Sequence, residues 1–147
     1  MTRGRPPNIA LDEAKIIAGR RGEVRVIPGT RSDAFELILF EEHRTIFVKV
    51  KRSLTQFSWL PDILRKYQRE IVHLHRMPLT AVTAREFWVR HPKGNWQFFL
   101  VRHDYVIEIQ ADGTYIPLAI LPMNISDSAG WESSPGGNKD FTSENED

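Results

Sequence analysis

The sequence predicts an α/β domain of three layers, in which a central mixed β-sheet is flanked by helices. The 147 residues are about the length of one ordinary domain. A helical pattern is followed by three strand-like segments, a second helical pattern and further strand-like segments, an order typical of a mixed sheet with helices. The second and third strand-like segments, over residues 34–41 and 45–52, are apolar on both faces, which indicates a sheet that is covered on both sides.

The first helix is predicted to begin after Asn8, whose side chain is suited to cap it, and Gly22 follows where a C-terminal glycine belongs. Its apolar positions fall on one face: Leu11, Ala14, Ile17 and Ala18. A strand over residues 23–27 and a turn-rich loop over 28–32 come next. Strands over 34–41 and 45–52, joined by a tight turn near Glu42 and His43, complete a hairpin expected near the centre of the sheet.

The second helix is predicted over residues 60–76, with Pro61 in its first turn. One stripe of this helix is apolar: Ile63, Leu64, Tyr67, Ile71 and Leu74. The opposite stripe is basic: Arg65, Arg69, His73 and Arg76. Strands over 85–91 and 96–102 form a second hairpin, and a strand over 105–110 precedes a turn at Asp112 and Gly113.

Charge is distributed unevenly along the chain. Residues 126–147 hold six acids and one base, a net charge of −5, whereas residues 1–125 hold 19 bases and 13 acids, a net charge of +6. We therefore expect a folded basic domain over 1–125 and a disordered acidic tail over 126–147. A basic body fits binding of a polyanion, although a solvated surface with a solubilising tail explains the same counts.

Cysteine is absent, which excludes disulfides, thiolate metal sites and a cysteine nucleophile. No apolar run approaches the roughly 18 residues of a spanning helix. We expect a cytoplasmic protein without a membrane partner.

The segment TIFVKVKRS, residues 45–53, carries the most informative motif. Together with Glu13 in the first helix and Asp33 before the second strand, it resembles the PD-(D/E)XK nuclease superfamily, and within it the small archaeal Holliday-junction-resolvase-like proteins. The resemblance implies a restriction-endonuclease-like fold. In such proteins a helix glutamate, an aspartate and a Glu-x-Lys motif surround magnesium, and those places here fall to Glu13, Asp33, Lys49 and Lys51.

The lysine at position 49 departs from that pattern. Magnesium requires oxygen ligands, and an ammonium group brings positive charge and offers no lone pair. Lys51 remains suited to a phosphate, with or without a metal ion. The resemblance therefore implies DNA binding with impaired or absent hydrolysis, and it also suggests a symmetric homodimer.

The register of the first hairpin decides whether an acid replaces the lost ligand. A loop of two or four residues places Glu36 opposite Lys49, whereas a loop of three residues moves Asp33 onto the lysine face. In the first of these registers, Glu36 is either a displaced metal ligand, together with Asp33 and Glu13, or the partner of Lys49 in an ion pair. Sequence leaves both alternatives open.

Four arginines are the further candidates for phosphate contact: Arg31, Arg52, Arg65 and Arg69. Four aromatic residues of the second hairpin could stack on bases, although we expect them in the core: Trp88, Trp96, Phe98 and Phe99. The favoured function is a nuclease-like nucleic-acid-binding protein. The alternatives are an active magnesium-dependent DNA endonuclease of junction-resolvase type and a protein-interaction subunit that binds no nucleic acid.

Overall fold

A computed structural model describes residues 8–27, 34–57 and 59–122 of the chain. The predicted acidic tail, the loop over 28–32 and the site candidates Arg31 and Asp33 lie outside these residues.

The helices and strands follow the predicted order. They are α1 (Ile9–Gly19), β1 (Glu23–Val26), β2 (Leu37–Phe40), β3 (Thr45–Arg52), α2 (Leu60–Lys66), α3 (Gln68–His75), β4 (Thr83–Arg90), β5 (Trp96–Val101), β6 (Tyr105–Ile109) and β7 (Tyr115–Pro122). None of the described helices is long and apolar enough to cross a membrane.

One mixed sheet of seven strands forms the centre of the fold, in the order β1 to β7. Every neighbouring pair is antiparallel except β3 and β4, which are parallel and joined by the α2–α3 crossover. The predicted α/β class with a mixed sheet and flanking helices is therefore confirmed. The central strand is β4, so the β2–β3 hairpin lies to one side of the centre.

The two faces of the sheet carry separate hydrophobic cores. On one, the α1 face, small side chains at every fourth position, Ala10, Ala14 and Ala18, pack against the sheet with residues such as Trp88. On the other, the α3 face, apolar residues of α2 and α3 pack against residues such as Phe87. Side chains alternate between the faces along each strand, so each position is assigned to one helix layer.

The predictions for the two helices differ from the structure in detail. The second helix is interrupted at Tyr67, whose φ of −107° and ψ of 27° are not helical, and the basic stripe is therefore divided between α2 and α3. Gly22 does not end α1, which closes at Arg20 in a right-handed helical conformation. A glycine is needed at position 22 because a Cβ atom there would overlap the backbone carbonyl of Phe40. The predicted Asn8 cap is confirmed, since its side chain accepts from the Leu11 amide at 3.1 Å.

Candidate functional site

Lys49 and Lys51 project from β3 onto the α3 face, where they line an open pocket. The pocket has a volume of about 260 Å³, and α3 contributes its other lining residues, Arg69, Glu70 and His73. The lysines share a face because they are two residues apart on a strand. The three helical residues face them because α3 packs beside β3 and β4.

Lys49 pairs with Glu36. The β2–β3 register joins Phe40 to Thr45 across a four-residue connection, which places Glu36 opposite Lys49. The Lys49 ammonium lies 2.9 Å from Glu36 Oε2, and its side chain is only 9% exposed. The structure thus selects one of the two registers that the sequence left open, and it contains the ion pair.

Glu36 also completes the β-ladder. Its Oε1 accepts a hydrogen bond from the backbone amide of Val50 at 2.8 Å, just beyond the last residue pair of β2 and β3. Both carboxylate oxygens are therefore engaged within the protein, one by the Val50 amide and the other by Lys49. A metal ion at Glu36 would have to compete with both donors.

Lys51 has a second acid beside it. Its ammonium lies 3.5 Å from Glu70 Oε2, with the lysine side chain 35% and the glutamate side chain 22% exposed. No described residue pairs with the exposed Arg69 side chain on the same rim. Sequence reasoning missed Glu70, whose only signal was its place next to Arg69 in the polar part of the second helix.

Glu13 is held on the other face of the sheet. Its carboxylate accepts from Arg90 Nε at 2.9 Å and from the Trp96 indole at 3.0 Å, and both residues belong to the α1 face. The hydrogen bond from Arg90, and then that from Trp96, lowers the pKa of Glu13. The structure therefore does not bring Glu13 together with Lys49 and Lys51, which project from the opposite face.

The donor set of the pocket does not fit magnesium. Lys49 and Lys51 hold two of the four places that the resemblance sets around magnesium, and Glu36 and Glu70 are each paired with one of these lysines. Within the described ranges, no group of three acidic or histidine side chains could hold a metal ion. The predicted metal roles of Glu36 and Glu13 find no support in this geometry, and that of Asp33 lies outside the described residues.

The other predicted phosphate contacts are dispersed. Arg52 is exposed at the end of β3. Arg65 lies on α2 and bonds Asp62 at 2.8 Å, in an exposed pair. Three cations line the pocket: Lys49, Lys51 and Arg69. Two acids pair with them, Glu70 in the pocket and Glu36 beside it, so the cations are in excess by one.

The aromatic residues of the second hairpin belong mainly to the core, as predicted. Trp88, Phe98 and Phe99 are buried, and Trp96 is half-buried against the core of the α1 face. Because the rings of Trp88, Phe98 and Phe99 are packed inside the protein, these three residues offer no free surface on which a base could stack. The exposed tryptophan of the described chain is instead Trp59, which is 59% exposed.

No protein-family model matches this chain, and no curated protein matches it. Among solved structures, it is similar to the 1.6 Å structure of Hjc, a Holliday junction resolvase from the archaeal hyperthermophile Archaeoglobus fulgidus. The sequences are 13% identical, the TM-score is 0.42, and the match covers 84% of this chain and 100% of that one. So distant a likeness carries no information on activity, and the α/β architecture stands on the strand order and helix layers described above.

Proposed function

We propose that this protein binds DNA through contacts with its phosphate backbone and does not hydrolyse it. The observation that carries the proposal is the open pocket on the α3 face, in which Lys51 and Arg69 present cations to solvent beside the buried Lys49. An arrangement of this kind binds phosphate without distinguishing bases.

The cations differ in what they can contribute. Arg69 is exposed and has no described partner, so it is free to form a bidentate contact with a phosphate. Lys51 is held loosely, at 3.5 Å from Glu70 and partly exposed, so a phosphate can replace that carboxylate. Lys49 is buried against Glu36 and acts mainly through its charge. Binding is therefore expected to depend most on Lys51 and Arg69.

The same ion pairs support the proposed absence of hydrolysis. A nuclease of the type that the sequence resembles needs carboxylates to hold magnesium, which positions the attacking water and stabilises charge in the transition state. Lys49 and Lys51 engage the carboxylates of Glu36 and Glu70 in this pocket. The enzyme alternative therefore depends on Asp33, outside the described residues, and on rearrangement of Glu36.

The binding proposal is tested by fluorescence anisotropy of a labelled DNA duplex at increasing salt. For the double variant Lys51→Ala with Arg69→Ala, we expect weaker binding to all sequences and a salt slope smaller by about two, because each lost phosphate contact releases about one counterion fewer. The matched control is Lys15→Ala with Arg20→Ala, which removes the same charge from α1 on the other side of the sheet.

Equal losses in both double variants would reduce the effect to net charge and contradict a defined site. If the parent protein shows no salt-dependent affinity for DNA, the proposal is wrong and the protein-interaction alternative gains support, with the Lys49–Glu36 pair as a structural contact.

The absence of hydrolysis is tested separately with plasmid and four-way-junction DNA. We expect that neither magnesium nor manganese at about millimolar concentration supports cleavage or raises the melting temperature. Single-turnover cleavage that disappears in Asp33→Ala would establish the endonuclease alternative instead.

A further inference from the structure

Two exposed apolar side chains lie on the connection between β3 and α2, of which residues 53–57 and 59 are described. Leu54 is 85% exposed and Trp59 is 59% exposed. Tryptophan is the side chain with the largest apolar area, and exposure of its ring is the kind of surface feature that marks a binding site.

The backbone on both sides of these residues is anchored. Ser53 is 2% exposed, and its amide donates to the Arg90 carbonyl at 2.8 Å. Phe57 packs into the core of the α3 face, with its ring centroid 6.4 Å from that of Tyr67. The Trp59 carbonyl accepts from the Asp62 amide at 3.1 Å, in the first turn of α2. The backbone of Trp59 is thus tied to the first turn of α2, which lowers the entropy cost of binding through its side chain.

Exposed cations come before and after this aromatic residue along the chain. Arg52 is exposed at the end of β3, and Lys51 of the pocket precedes it. Arg65 and Lys66 are exposed at the last turn of α2. Because α2 has seven residues, they are within about 10 Å of Trp59 along the helix axis. An exposed aromatic ring with exposed cations about one to two helical turns away suits a nucleic-acid strand, in which bases and phosphates alternate at short intervals.

The small size of the apolar surface favours a base over other occupants. Leu54 and Trp59 together offer an apolar area of at most roughly 400 Å². An aromatic side chain buries about 150–250 Å², and the leucine is smaller. A stable protein interface needs about 800 Å² on each partner. Insertion into a membrane surface needs a whole apolar helix face, and that of α2 is already packed in the core through Ile63. Stacking of one base needs one ring.

We propose that Trp59 is a stacking platform for an unpaired base of a nucleic acid whose phosphates contact Lys51 and Arg69. This inference rests on the proposed DNA binding and narrows its substrate class to nucleic acids with unpaired bases, such as single strands and duplex ends that have opened. A fully paired duplex keeps its bases stacked on one another and offers none to Trp59.

The experiment compares oligothymidylate with a blunt, fully paired duplex of two strands that carries the same total charge. For Trp59→Ala we expect affinity for oligothymidylate roughly 10-fold lower and affinity for the duplex changed less than about twofold. Trp59→Phe keeps a ring and most of the affinity. Tyr115→Ala is the matched control, because Tyr115 is an aromatic residue with 57% exposure on β7. It is expected to bind both probes like the parent protein.

The outcomes distinguish the stacking role of Trp59 from the proposed binding of DNA phosphates. If Trp59→Ala binds oligothymidylate like the parent while the Lys51 and Arg69 double variant binds weakly, the stacking role is wrong and the phosphate site stands. If the parent binds neither probe, both proposals are wrong. Equal losses on both probes would overturn the preference for unpaired bases. Lost binding of Trp59→Ala to phosphatidylserine vesicles, with unchanged binding to oligothymidylate, would instead assign the ring to a membrane surface.

Fluorescence gives a second readout that does not depend on affinity. A base stacked on the Trp59 indole quenches its emission, so saturating oligothymidylate is expected to quench the parent protein more than Trp59→Phe. Equal quenching in the two proteins would contradict direct stacking. Unchanged melting temperatures for both Trp59 variants provide the folding control, because most of the side chain lies outside the core.

Discussion

Lys49→Glu tests the ion pair that occupies the expected metal site. The Lys49 ammonium lies 2.9 Å from Glu36 Oε2 and its side chain is 9% exposed, so the substitution brings two carboxylates together in a largely buried position. At an effective dielectric constant of about 20, two unit charges about 4 Å apart interact by about 4 kcal/mol. Glu36 is 30% exposed and can turn partly toward water. We therefore expect the free energy of unfolding to fall by about 2–4 kcal/mol.

A divalent cation is expected to restore part of the stability that Lys49→Glu loses. The two carboxylates would face each other across β2 and β3 beside an open pocket, and carboxylate oxygens supplemented by water are the ligands that magnesium and manganese prefer. An ion present at ten times its dissociation constant stabilises the folded state by about 1.4 kcal/mol. The melting temperature of Lys49→Glu should therefore rise with manganese, whereas that of the parent protein should not.

The assay is urea unfolding followed by circular dichroism, with and without manganese, together with calorimetry of manganese binding. The control adds Glu36→Gln to Lys49→Glu. It keeps an oxygen for the Val50 amide and removes the repulsion. Its stability is expected to recover, and its metal response is expected to fall if Glu36 is a ligand. Unchanged stability of Lys49→Glu would show that the ion pair does not form in solution. A loss of stability that manganese does not relieve would contradict the expectation that this position can supply a metal ligand.

Two further predictions concern the α1 face. Arg21→Met leaves the carboxylate of Glu86, which is 0% exposed, without its bidentate guanidinium partner, and we expect a loss of about 3–5 kcal/mol in urea unfolding. The control Arg44→Met removes a pair whose arginine is 34% exposed, so a loss above about 1 kcal/mol there would contradict burial as the cause. Gly22→Ala should cost about 1–3 kcal/mol in the same assay, because its Cβ would overlap the facing β2 carbonyl, whereas Gly19→Ala meets open space and should cost nothing.

Local patterns predicted the elements well, because periodicity and capping depend on residues close in sequence. Asn8 caps α1 as expected, and Lys49 and Lys51 share a face because side chains alternate along a strand. The break at Tyr67 was missed, since the apolar stripe continues through it at helical spacing. The last strand, β7, was also missed. It follows the Asp112–Gly113 turn and pairs with β6.

The sequence by itself determined the α/β class, the order of the first elements, the basic character of residues 1–125 and the placement of Lys49 and Lys51 on one face of a strand. Only the tertiary structure decided which acids form ion pairs with Lys49 and Lys51. The four-residue hairpin connection sets a register that brings Glu36 to Lys49, and the packing of α3 beside β3 brings Glu70 to Lys51. Glu13 bonds Arg90 on the opposite face of the sheet. These contacts join residues that are distant in sequence, and their geometry follows from strand register and helix packing, which a linear pattern does not encode.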